Sequence, residues 1–209
     1  ASDVYKRQAE QWLDAGTLRP INCVEDPNFM GNYTDESTSP SQLLTSTIAD
    51  ELKIATRNKG LVYAIAPFRD AAILGAGHAG NGAFWLNNNT GKWCSTTYYN
   101  EFPWWLSQYN DRKSPDYRIK DMVWTPAFPF TNYTFLPEWR NEPFKYKLDG
   151  ERTNKFRRLI TSPFINEEVN LLTEELLNKS TIGQDDVPDL LSLCLLYTSP
   201  SPRDSTSSR

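Results

Sequence analysis

Histidine is almost missing from this chain: His78 stands alone in 209 residues, and only Cys23, Cys94 and Cys194 offer sulfur. With no second His nearby and no paired Cys, the usual ligand sets of a zinc site are not available around His78. Long apolar runs are also missing. Nothing approaches the roughly 20 residues that a membrane-spanning helix requires. There is no block of basic residues, and the net charge is -4, so a surface that grips duplex nucleic acid through its phosphates is excluded. Cys23 and Cys94 lie far apart and read as buried thiols rather than as a disulfide. No internal repeat is present. What the chain has in abundance is aromatic surface, 13% of residues with seven Trp. Such content serves either thick packing between layers or a cleft that stacks on bases or sugars, and composition does not choose between them.

The two ends read differently from the middle. Asp3 to Gln8, DVYKRQ, and the segment from Cys194, CLLYTSPSPRD, are encodable by strings that are reverse complements over almost their whole length. They resemble the translated adapter of a sequencing library. Residues 1–8 and 194–209 are therefore expected to be adapter-derived, and 9–193 to be part of one larger domain.

Within that stretch, Ser39-Pro40 and the stripe Leu44, Ile48, Leu52, Ala55 predict an amphipathic helix over 41–56, capped by a left-handed Gly60. Leu61 to Ala66 is a short continuous apolar run, as in a strand covered on both faces of a parallel sheet. Pro67 ends it. In open α/β sheets ligands bind beyond the carboxyl ends of strands, which points to the segment 67–81 as a ligand-facing loop. Phe84 to Leu86 and Lys92 to Tyr98 flank Asn87 to Gly91 as a hairpin, with a short strand expected earlier at 21–24. Residues 102–109 predict a short helix with aromatics on its core side. Residues 122–135 predict a packed aromatic loop without regular structure, and 137–155 an exposed charged segment. A second helix is predicted over 162–179, with Phe164, Val169, Leu172 and Leu176 on one side and Glu167 and Glu168 at its positive end. A strand then starts near Leu190.

Several residues invite a functional reading. His78 sits in GAGHAGN, where the glycines suit close backbone packing better than a phosphate cradle, since the later Lys or acidic partner of such cradles is missing. A structural role is favoured for His78. Arg69 either reaches a phosphate or pairs with Asp70. Phe68 and Trp85 read as core or cleft wall before they read as a stacking platform.

The segments LTSTIADEL (44–52), AILGAGH (72–78), GAFW (82–85), TGK (90–92) and STTYY (95–99), followed by TSPF (161–164) and QDDV (184–187), resemble the alkaline phosphatase superfamily. The branch is that of type I phosphodiesterases and nucleotide pyrophosphatases, which includes the monomeric secreted bacterial phosphatases. The resemblance implies an α/β fold: a partial alkaline-phosphatase-like domain, with a largely parallel sheet, flanking helices and an aromatic-rich insertion. It implies a phosphoester hydrolase using two Zn²⁺ and a Thr or Ser nucleophile. On that alignment the nucleophile lies before residue 9 and the metal ligands lie outside the fragment, so no catalytic residue and no metal ligand falls within it.

The family's monoesterases place a Lys and an Arg just after the strand matching 61–66, to grip the second charge of a terminal phosphate. Those positions hold Phe68 and Asp70, with Arg69 between them, and Glu10 falls where the family has an Asn. The resemblance therefore implies a phosphodiesterase or nucleotide pyrophosphatase acting on a small phosphate ester or nucleotide, with an alkaline phosphomonoesterase as the alternative. Candidate substrate-binding residues are Phe68, Arg69, Asp70, His78, Asn81 and Trp85. The family also implies a periplasmic or secreted location, and a fragment inactive and poorly folded by itself. The competing reading from another class is a non-catalytic aromatic module binding carbohydrate or nucleotide.

Overall fold

A computed structural model describes residues 11–99, 101–129, 132, 145–150 and 154–195. In chain order the elements are β1 (Gln11–Leu13), β2 (Pro20–Asn22), β3 (Gly31–Asn32), α1 (Ile48–Ala55), β4 (Val62–Ala66), α2 (Arg69–Ala76), β5 (Gly82–Leu86) and β6 (Trp93–Thr96). Then follow α3 (Trp104–Arg112), β7 (Val123–Trp124), β8 (Tyr146–Lys147), α4 (Lys155–Ile160), α5 (Phe164–Lys179) and β9 (Leu190–Leu193). Five strands form the main sheet in the order β3-β6-β5-β4-β9. β4 pairs in parallel with β5 and with β9, whereas β6 runs antiparallel to β5 and to β3. The parallel part of the sheet is thus three strands wide, and the hairpin from β5 to β6 turns the rest antiparallel.

The reason β4 sits inside is its composition. Val62, Ala64, Ile65 and Ala66 are all buried, and such a run satisfies both faces of a covered strand. Alternate residues feed two separate cores. Ile65, Phe84, Leu86 and Trp93 face a layer in which α5 contributes Ile165, Val169, Leu172 and Leu176. Ala64, Ala66, Ala83, Trp85 and Cys94 face α2, through Ala72, Ile73 and Ala76. Small residues on this second face let α2 lie close to the sheet. Each fully buried Leu or Ile contributes about 1.5–3 kcal/mol. Burial also raises the Cys94 thiol to about 12, so it is an inert core residue. Cys23, Cys94 and Cys194 form no disulfide among the described residues.

The structure departs from sequence expectation in several places. The first helix does not start at Ser39-Pro40. Ser39 instead donates its hydroxyl to Asp26 Oδ2 at 2.6 Å, and the helix starts at a capping box in which Thr47 and Asp50 each satisfy the other's backbone amide. Its apolar stripe also faces outward. Leu44 is 98% exposed and Ile48 82% exposed, while Ala49, Asp50 and Lys53 form the buried face. Asp50 explains the reversal: it accepts from the backbone N–H of Thr47 at 2.8 Å, from Ala79 N–H at 2.8 Å, and faces His78 Nδ1 at 3.2 Å. A carboxylate with that many local donors is held where they are, and the stripe follows the backbone out. Gly60 is not the left-handed stop; Arg57 and Asn58 carry the positive φ.

The expected loop at 67–81 is mostly helix, because α2 occupies residues 69–76. Only Gly77 to Asn81 is irregular, and Gly77 has φ 67. A side chain there would strike Thr47 and Asp50, which is why glycine stands there.

Elsewhere the expectations hold more closely. The hairpin closes at Asn87 to Gly91, with Trp85 opposite Cys94 and Leu86 opposite Trp93. α3 buries Trp105, Leu106 and Tyr109, although Trp104 points outward. The aromatic segment is not wholly irregular, since Val123 and Trp124 pair with Lys147 and Tyr146. The remainder of that expectation, at residues 130, 131 and 133–144, lies outside the described residues, as do 1–10 and 196–209. The second helix is preceded by a separate short helix, α4, over residues that carried no helix expectation. Glu168 is not a solvated end charge: it is buried and ion-paired to Arg118, with Nε at 2.9 Å from Oε1.

Two stability outcomes follow from these charges. Replacing Glu168 by Ala strands Arg118 beside the core and is expected to cost the longer parent polypeptide about 3 kcal/mol in denaturant unfolding; a loss near zero would mean the pair is fully screened. For Asp50, burial disfavours the charged form, but the N–H groups of Thr47 and Ala79 and the His78 ring outweigh it and hold the carboxyl below its ordinary value. The folded value being depressed, this stabilisation is complete above the unfolded carboxylate range and disappears as pH falls through the folded value. Asp50→Asn is therefore expected to cost about 2 kcal/mol near neutrality and much less once the pH has fallen below the depressed folded value. A penalty that does not vary with pH would contradict the assignment.

Candidate functional site

The carboxyl end of β4 runs through Pro67 into Phe68, the N-cap of α2, which makes no side-chain capping bond. Free amides of the first helical turn thus open at the end of the sheet, a location suited to an anion. Around it lies a cleft of about 460 Å³ whose walls include Asn22, Phe68, Arg69, Asp70, Trp85 and Arg157. The hairpin turn at Asn87 to Asn89 forms another side, and Asp35 and Glu36 the rim.

The charges in this cleft are mostly spent on one another. Arg69 reaches Glu36 at 3.2 Å through one terminal nitrogen and Asp70 at 3.5 Å through Nε. Asp70 Oδ2 also accepts a long bond from Asn22 Nδ2 at 3.4 Å. Its other oxygen is buried and has no hydrogen bond. Trp85 is 2% exposed, and its indole N–H finds no acceptor among the described residues. Phe68 is 45% exposed and presents its ring at the cleft. A carboxylate, an aromatic face and a neutralised arginine together make a clamp without net positive charge, one that tolerates a single negative charge better than two.

Of the candidates named from sequence, Phe68, Arg69, Asp70 and Trp85 share this cleft. His78 and Asn81 do not line it. Asn81 bonds Val62 through both its backbone N–H, at 2.7 Å, and its side-chain oxygen, at 2.9 Å, and so fixes the opening end of β4. His78 sits beside α1 with Nδ1 on Asp50 and Nε2 at 3.0 Å from the Leu43 carbonyl oxygen. It lines a separate, largely apolar groove of about 640 Å³ together with Leu43, Leu44, Lys53 and Ile54. Glu10 lies outside the described residues.

Sequence reasoning missed Asn22, Glu36 and Arg157. No local signal marks them, since they come from β2, from a loop and from α4, and only folding brings them to the end of β4. The aromatic excess goes chiefly into packing: Trp85, Trp93 and Trp105 are all buried.

The described residues offer no fit to the two Zn²⁺ that the family resemblance implies, because no group of three or more His, Cys, Asp or Glu converges among them. Among the described residues no helix is long and apolar enough to cross a membrane.

No family profile matches the chain. Among curated proteins it is 31% identical over 152 residues to alkaline phosphatase PhoV of Synechococcus elongatus, an overlap of 71% of this chain and 27% of that protein. It is 28% identical over 205 residues to alkaline phosphatase PafA of Elizabethkingia meningoseptica, covering 90% of this chain and 37% of PafA. It is also 37% identical over 146 residues to a protein of Myroides odoratus named calcium-transporting ATPase, covering 68% of this chain and 26% of that one. The crystal structure of wild-type PafA superposes with a TM-score of 0.73 at 24% identity, over 90% of this chain and 39% of PafA. The chain therefore spans well under half the length of the relatives it matches. With its sequence matched by two alkaline phosphatases and its mixed sheet and helices superposing on one of them, this chain belongs to the alkaline phosphatase superfamily.

Proposed function

We propose that this chain is the substrate-side wall of a phosphoric ester hydrolase, and that the full-length parent turns over phosphodiesters, nucleotide pyrophosphates among them, in preference to monoesters. The observation that carries the preference is the cleft at the end of β4. Phe68 and Asp70 occupy the two positions where, by resemblance, the monoesterases of the family hold cations, and Arg69 between them is neutralised by Glu36 and Asp70. A monoester dianion entering here meets three carboxylates, Asp35, Glu36 and Asp70. A diester carries one charge fewer and an organic group that can lie against the exposed ring of Phe68.

In this reading the Thr or Ser nucleophile and two Zn²⁺ ions belong to polypeptide outside the described residues. The role of the described residues is to bind and orient: the α2 amides and cleft donors hold phosphate oxygens, and the Phe68 face holds the ester group. The same reading includes export to the periplasm or the exterior, as the family suggests, and an isolated chain without activity.

The test is steady-state kinetics of the purified parent on a nitrophenyl phosphodiester and the matching monoester. We expect kcat/KM for the diester to exceed that for the monoester by about tenfold or more, as one uncompensated charge at this range implies. The double substitution Phe68→Lys with Asp70→Arg should shift the ratio toward the monoester by about a hundredfold. A parent that prefers the monoester, or a double variant with an unchanged ratio, would show that the cleft does not set the preference. Activity from the 209 residues alone would contradict the placement of the nucleophile and metals elsewhere.

A further inference from the structure

The segment after β4 has no cation to spare, yet a second arginine stands on the same cleft. Arg157, on α4, is exposed and lines the cleft with Arg69 and Asp70. No ion pair or hydrogen bond engages its guanidinium among the described residues; only its backbone is used, the N–H donating to the Asn154 carbonyl at 3.1 Å and the carbonyl accepting from Thr161 Oγ1 at 3.2 Å. Its backbone is anchored. Asn154 caps α4 by accepting from Phe156 N–H at 3.1 Å, and its amide donates to Asn89 Oδ1 at 3.0 Å in the hairpin turn. Phe156 is buried under that turn against Gly91, which has φ 67 and where any side chain would overlap the ring. The turn of α4 that carries Arg157 is therefore tied to the hairpin on two sides, and holding a ligand there orders little further backbone.

Trp85, on the same wall, carries an indole N–H that is buried without an acceptor among the described residues. Buried donors of this kind are normally satisfied. The unspent guanidinium calls for an acceptor-rich, negatively charged group. Asp35, Glu36 and Asp70 on the same walls limit that group to low charge.

We propose that Arg157 is the anion grip of this cleft, donating a charge-assisted hydrogen bond to a non-bridging oxygen of a singly charged phosphodiester, in place of the cations that the β4 end lacks. This rests on the phosphoester reading above. Arg157 is a substrate-binding residue in this proposal and performs no proton transfer.

The experiment uses the full-length parent with Arg157→Ala, Arg157→Lys and, as a control of equal charge change on the exposed surface, Lys59→Ala. Two quantities are read: KM and kcat on a nitrophenyl phosphodiester, and the thermal stabilisation produced by inorganic phosphate. For Arg157→Ala we expect KM to rise about tenfold with kcat within about twofold, and the phosphate concentration for half-maximal stabilisation to rise about tenfold. Arg157→Lys should recover part of both, and Lys59→Ala should resemble the wild type. Unchanged KM and phosphate response in Arg157→Ala, or equal losses in Lys59→Ala, overturn the proposal. If the parent hydrolyses no phosphate ester, the hydrolase reading fails and the phosphate titration decides alone. Loss of the response in Arg157→Ala then supports the grip, and a response retained in that variant or absent from the wild type overturns it.

Discussion

Burial of β4 on both faces is the constraint on which the rest of this chain depends. A strand with Ala64 and Ala66 on one side and Ile65 on the other needs a covering layer above and below the sheet, and parallel partners on both edges. α2 supplies one cover and α5 the other. The parallel pairing with β9, a strand more than a hundred residues later, closes the unit, and Asp189 reinforces it by accepting from Leu61 N–H at 2.6 Å. With the strand fixed, its carboxyl end can point only to the cleft, and Phe68 to Asp70 arrive there as the first turn of α2.

Polar anchors rather than apolar stripes decide how the outer pieces attach. Asp50 ties the start of α1 to the glycine-rich turn after α2, and His78 completes that connection to Leu43. The apolar side of α1 is left facing out, beside the groove lined by Leu43, Leu44 and Ile54. On the other flank, Asn110 bonds both the N–H and the C=O of Trp93 and holds α3 to β6, while the Arg118 and Glu168 pair holds the segment after α3 to α5. Each anchor is a group whose hydrogen bonds must be met once it is buried, and this fixes geometry more narrowly than apolar contact does.

The electrostatics of the cleft follow from which charges find partners. Arg69 lies between two carboxylates and contributes little net field outward. Arg157, facing the same space from α4, has its charge intact. Two arginines of identical chemistry thus differ in what they can offer a ligand, and the difference is set by neighbours contributed from elsewhere in the chain.

The sequence by itself determined the elements with strong local codes: the apolar run of β4, the hairpin around Asn87 to Gly91, the periodicity of α5 and the strand near Leu190. It also placed Phe68, Arg69 and Asp70 at the end of a strand, because Pro67 and the preceding run mark that end. The same local reading failed for α1, where the apolar stripe suggested the wrong buried face, and for α2, where the strand end at Pro67 suggested a ligand-facing loop. Only the tertiary structure decided that Asp50 is enclosed, that Glu168 is paired inside, that His78 and Asn81 stand away from the cleft, and that Asn22, Glu36 and Arg157 stand at it. The physical reason is range. Periodicity and turn chemistry act over a few residues, whereas desolvation of a charge and its choice of partner depend on groups that meet only once the sheet has formed.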